Sequence, residues 1–105
     1  MNATYAAFLK TKCRSLLDNT TTVEMDPRSS LEFDNHYYFI LKQKMGLFQS
    51  DAALLTNKEA LETVNELINS SEFFKKFAQS MQKMGGIGVL TGTAGEIRKK
   101  CYIVN

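Results

Sequence analysis

At 105 residues, with 44% hydrophobic and 23% charged content, the chain is the size of one domain and has the composition of a water-soluble globular protein. Thirteen basic residues against eleven acidic leave a formal charge of +2, too little to argue for nucleic acid or a charged membrane surface as a partner. No segment approaches transmembrane length, and the opening MNATYAAFLKTK has no apolar run long enough for a signal-peptide core before Lys10 and Lys12 interrupt it.

In chain order, Tyr5, Phe8, Leu9, Cys13 and Leu16 recur at helical spacing, with Asn2 placed to cap. The stretch DNTTTVEMDPRSS then breaks the period as a long loop. Asp34 is positioned to cap a second helix, NHYYFILKQKM, which directs Tyr37, Tyr38 and Leu41 to a core and stops before Gly46. After the turn GLFQSD, Asp51 can cap a short helix DAALL, and Asn57 opens another through Leu61, Val64 and Ile68. The cleanest pattern is SSEFFKKFAQSMQKMGG, with Phe73, Phe74, Phe77, Ala78, Met81 and Met84 on a face expected to be core. Glu72 at its start, Lys83 near its end and Gly85 as stop suit the helix dipole. The last twenty residues are glycine-rich and close on a short alternating tail. The expected class is all-α: four to five helices with long irregular loops.

Little in this inventory carries chemistry by itself. His36 is the single histidine, so a His–Cys zinc site or a Ser–His–Asp triad lacks its usual parts. The glycines of MGGIGVLTGTAGE fit no phosphate-binding fingerprint. Asp26, Ser29, the backbone at Glu32, and Asp34 do place hard oxygen donors along one short irregular segment, as calcium requires. The competing reading is a turn at Asp26–Pro27 and a helix cap at Asp34. Cys13 and Cys101 could bridge in an oxidising compartment or stay as buried free thiols. Asn2, Asn19 and Asn69 each begin an Asn-x-Ser/Thr glycosylation acceptor.

Taken together, MDPRSSLEFDNHYY, GLFQSDAALL, FFKKFAQSMQKMGGIGVLTGTAGEIRKKC and the terminal VN resemble, in order and spacing, the C-terminal part of the class III secretory plant haem peroxidases. The resemblance runs across essentially the whole chain and implies that 1–105 is a partial haem peroxidase domain, its proximal side. It implies haem b and calcium as cofactors of the parent family, hydrogen peroxide and phenolic donors as reactants, a monomer, and a secreted or vacuolar location. It assigns Asp26, Ser29 (hydroxyl and backbone oxygen), Glu32 (carbonyl, its side chain toward solvent) and Asp34 to a calcium site. Asp51 matches the carboxylate that accepts a hydrogen bond from the haem-ligating histidine, and Met25 matches a side chain packed near the haem's proximal side. Cys13 and Cys101 match positions that pair with upstream cysteines and not with each other.

The family's iron-ligating histidine, its distal histidine and arginine, and a calcium-ligating threonine all lie upstream of the matched part. His36 replaces none of them, because it falls at a variable position of that motif. Two readings follow. In one the chain is a C-terminal fragment of a peroxidase, inactive alone and holding neither haem nor calcium tightly. In the other it is a non-catalytic helical module with a residual calcium-binding loop.

Overall fold

The computed structural model describes residues 1–13 and 15–105. It contains α1 (Ala3–Lys12), α2 (His36–Lys42), α3 (Gln49–Ala53), α4 (Lys58–Leu67) and α5 (Ser70–Gly85), followed by a single 3-10 turn, Gly92–Ala94. Among the described residues there is no strand, only an isolated bridge between Lys100 and Ile103 where an alternating tail was expected. The helical class therefore holds. The chain divides into two compact units, Met1–Lys75 and Lys76–Asn105.

The first unit owes its helix starts to short polar side chains. Asn2 Oδ1 accepts from Tyr5 N at 3.2 Å and Asn57 Oδ1 from Ala60 N at 3.0 Å, each satisfying one of the backbone donors a helix start leaves without a partner. Asp34 reaches the first N–H of α2, His36 N, at 2.9 Å, although Asn35 is the residue at the helix boundary. α2 ends in a Schellman arrangement: Met45 N bonds Ile40 O at 2.9 Å and Lys44 N bonds Leu41 O at 2.8 Å. Lys44 takes the left-handed conformation (φ 58°) that this closure needs. The helix thus stops before Gly46, as expected, and the left-handed residue that closes it is Lys44, which carries a Cβ.

Tyr5, Ile40, Leu41, Val64, Leu67 and Phe73 are the buried apolar side chains. α2 packs on α4. Asn35 Nδ2 seals that contact by donating to the carbonyls of Leu67 (3.0 Å) and Ile68 (2.5 Å), oxygens that the end of α4 leaves without helical partners. Around it Phe33, Tyr38, Phe73 and Phe74 form tilted and edge-on ring pairs with centroids 5.2–6.0 Å apart, the geometry that aromatic quadrupoles favour.

The expected core face of α5 is largely not buried. Phe73 is 7% exposed, but Phe74, Phe77, Met81 and Met84 are 41–57% exposed. The same holds for α1, where Tyr5 is buried while Phe8 is exposed, and Leu16, expected to continue that face, lies beyond the helix and is exposed as well. Among the described residues, twenty large apolar side chains are exposed against six apolar residues in the core. The period of α5 is that of an apolar face, and most of that face is exposed.

The second unit has no buried residue. Asn105 organises its end: its N–H donates to Glu96 Oε1 (3.0 Å), its Nδ2 to Ile97 O (2.9 Å), and its Oδ1 accepts from Lys99 N (3.2 Å).

Candidate functional site

Two clusters of oxygen chemistry lie in the first unit, and neighbouring residues at the start of α2 serve one each. The first is the loop from Asp26 to Asp34. Consecutive turns, Ser29 N to Asp26 O (3.2 Å) and Glu32 N to Ser29 O (3.1 Å), fold it, with Arg28 held at φ 80° inside the first. Ser29 is buried, 9% exposed, and its Oγ donates to Asp34 Oδ2 at 2.5 Å. Asp34 Oδ1 accepts from His36 N. The Ser29 hydroxyl first, then the His36 N–H, hold the Asp34 carboxyl below the usual carboxylate range. Asp26 Oδ1 is met by His36 Nδ1 at 2.5 Å.

Asp26, Ser29 and Asp34 are therefore joined through direct bonds to one another or to His36, while Glu32 has its side chain exposed. The donor set is carboxylate and hydroxyl oxygen with backbone carbonyls close in sequence, which suits a hard cation such as calcium. Among the described residues, no three His, Cys, Asp or Glu side chains gather to hold a metal; any cation here would rely on hydroxyl and backbone oxygen as well.

The second cluster is centred on Asp51. The sequence suggests this residue as a helix N-cap, but it lies inside α3, third from the start. Its Oδ2 accepts from Phe48 N at 2.8 Å, turning back on the helix boundary. Its Oδ1 accepts from Tyr37 OH at 2.6 Å. The residue is 6% exposed. Burial, then the Asp51 contact, push the Tyr37 phenol far above the ordinary tyrosine range. Gly46 lets the chain pass close by: a Cβ there would sit 2.6 Å from Asp51 Cβ. A cavity of about 470 Å³ opens beside this cluster, lined by Leu41, Gly46, Phe48, Asp51 and Leu55 among others. A carboxylate offers about four lone-pair sites, so with two donors bound Asp51 retains the capacity to accept another.

Met25 immediately precedes the first cluster's loop, is 47% exposed and does not line the Asp51 cavity. Cys13 and Cys101 are free thiols, both exposed, so the reading of them as buried small hydrophobes is corrected. Of the glycosylation acceptors, Asn2 caps α1, Asn19 is exposed, and Asn69 is exposed with its Oδ1 accepting from Ser71 N (3.0 Å) and Ser71 Oγ (2.7 Å). Sequence reasoning missed the partners of His36 and Tyr37, because neither pairing follows a helical or strand period. No helix among the described residues is long and apolar enough to cross a membrane.

A family model described as Peroxidase matches residues 1–70. Peroxidase 30 of Arabidopsis thaliana is 53% identical over 98% of this chain and 32% of its own length. Peroxidase 56 of the same plant is 52% identical over 100% of this chain and 32% of its own, and Peroxidase 1 of Oryza sativa subsp. japonica 52% over 96% and 32%. The chain spans about a third of the length of the relatives it matches.

Proposed function

Because this chain belongs to the peroxidase family, aligning with the C-terminal portion of class III plant members, we propose that residues 1–105 supply the proximal side of a haem b enzyme that reduces hydrogen peroxide while oxidising phenolic donors. The observation that carries this reading is Asp51: a buried carboxylate, anchored by Tyr37 and Phe48 N, with acceptor capacity left and a cavity beside it. A carboxylate so placed accepts the Nδ1–H of an iron-ligating histidine and makes that imidazole a stronger electron donor. Haem supplies the iron at which peroxide is reduced; these residues orient the ligand and exclude water behind it. In this reading Asp26, Ser29, the carbonyl at Glu32, and Asp34 hold a structural calcium that braces the same region, and Met25 packs on the proximal side once haem is present. Cys13 and Cys101 each pair with a cysteine outside these residues, and Asn2, Asn19 and Asn69 are acceptors for glycans in a secreted or vacuolar enzyme.

The chain does not itself provide the iron ligand. Its one histidine, His36, does not line the Asp51 cavity, and Asp51 bonds instead to the Tyr37 hydroxyl and the Phe48 N–H. The isolated polypeptide is therefore predicted to be inactive. Mixed with haemin, it should give no five-coordinate histidine-type absorption spectrum and no peroxide-dependent oxidation of guaiacol; either signal at stoichiometric haem would refute the assignment of roles. The alternative, a self-sufficient helical module with a residual calcium loop, is disfavoured by the twenty exposed large apolar side chains.

A further inference from the structure

Tyr37 anchors Asp51, and it is also an oxidisable ring. Its hydroxyl donates to Asp51 Oδ1 at 2.6 Å, while Phe48 N–H holds the other carboxylate oxygen at 2.8 Å. The carboxylate is buried and the phenol half-buried, so the phenolic proton has a fixed acceptor already in place. The Tyr38 ring lies edge-on to Tyr37, 5.4 Å away between centroids. We infer that Tyr37 is a redox-active tyrosine, which gives one electron to a strong one-electron oxidant and its phenolic proton to Asp51, with Tyr38 as the second ring of the site. The inference rests on the proximal-haem reading only for its natural oxidant, haem oxidised by hydrogen peroxide.

A phenol is oxidised with loss of its proton, because electron loss alone leaves a radical cation that is a very strong acid. Burial, then the Asp51 contact, keep the Tyr37 phenol protonated far above the ordinary tyrosine range, so at neutral pH there is no phenolate to be oxidised instead. The proton must leave with the electron, and at 2.6 Å a carboxylate oxygen stands within direct transfer distance. The step balances. One electron leaves the phenol and reduces the oxidant by one unit, the phenolic O–H bond breaks, and an O–H bond forms on Asp51 Oδ1. What remains is a neutral tyrosyl radical hydrogen-bonded to a carboxylic acid. When a phenolic donor returns an electron, Asp51 gives the proton back to the tyrosyl oxygen and the donor's own proton leaves to solvent. Beyond Tyr38 the neighbouring rings are Phe73, 6.0 Å away, and then Phe33 and Phe74. Phenylalanine is much harder to oxidise than tyrosine, so the hole is confined to the Tyr37–Tyr38 pair.

The test is flash oxidation of the full chain, without haem, by photogenerated ruthenium(III) tris-bipyridine, with tyrosyl radical followed by electron paramagnetic resonance and its rate of formation by transient absorption. The reference is Tyr102→Phe, which removes an exposed tyrosine that oxidises by losing its proton to solvent. At fixed pH, a tyrosine that depends on solvent speeds up as the buffer concentration rises, whereas one with its own base does not. The expected result is a radical phase in Tyr102→Phe whose rate is indifferent to buffer concentration. That phase should be lost when Tyr37→Phe is added, and lost again with Asp51→Asn in protein that circular dichroism shows to be folded. Absence of a buffer-independent phase in Tyr102→Phe, or its survival in Tyr37→Phe, overturns the inference whether or not the Asp51 variant folds. Because no haem takes part, failure of the proximal-haem reading would remove the natural oxidant and leave this result standing, and failure here would leave the proximal-haem reading intact.

Discussion

Asp51→Ala is expected to destabilise the first unit by about 3 kcal/mol or more, the largest effect of any single polar substitution in the chain. Two donors depend on this carboxylate, Tyr37 OH at 2.6 Å and Phe48 N at 2.8 Å, and hydrogen bonds to a charged group are worth about 1.5–3 kcal/mol each. Tyr37→Phe removes one of the bonds and should cost about 1–2 kcal/mol. The double variant should cost less than the sum of the two, since the shared bond can be lost only once. The pH dependence has a definite sign. The folded-state phenol of Tyr37 is raised above its ordinary value by burial and by Asp51, so its contribution is complete below about pH 10 and is lost as the pH climbs beyond that range. Urea unfolding followed by far-ultraviolet circular dichroism measures all of this. A loss below about 1 kcal/mol for Asp51→Ala would show that the buried carboxylate is not anchored as described.

Gly46→Ala should cost about 2–3 kcal/mol, a magnitude typical of overpacking. The added methyl would lie 2.6 Å from Asp51 Cβ and 3.1 Å from Leu41 Cδ2. Neither atom can swing away: one is fixed to the backbone of α3, and the other belongs to a side chain only 1% exposed. The chain segment around Gly46 would have to move off α3, and the cavity beside Asp51 would change shape with it. Gly85→Ala is the matched control. A Cβ there meets nothing within 4 Å, and in a helix alanine is preferred over glycine by about 1 kcal/mol, so that variant should be neutral or slightly more stable. Equal effects at the two positions would contradict the close approach.

Much of this architecture can be read from the residues. Asn2 and Asn57 cap where their side chains and the apolar periods after them indicate, and Glu72 and Lys83 lie in the first and last turns of α5. Asp51 is harder, because an acidic residue before DAALL suits an N-cap as well as the third helical position. Its contact with Tyr37, fourteen residues away, leaves no periodic trace. Lys44 ends α2 in a conformation that glycine usually supplies, so the closing residue itself carries no mark in the sequence. The α5 stripe shows what periodicity measures. It reports an apolar face, and Phe74, Phe77, Met81 and Met84 of that face stay exposed. In the loop, the oxygen donors are legible from composition and order. That His36 would turn back onto Asp26 is not, since a ten-residue return through two turns depends on backbone geometry alone.

The claim that these residues furnish the proximal side of a class III enzyme is tested most directly in a chimera, with this chain replacing the matching C-terminal third of a full-length relative. After haem loading and a check of folding, peroxide-dependent oxidation of a phenolic donor is measured. The account predicts an active chimera whose turnover falls about 10–100-fold with Asp51→Ala, the range seen when a hydrogen-bond partner of a metal ligand is removed. A folded, haem-loaded chimera that is inactive, or one indifferent to the loss of Asp51, would contradict it.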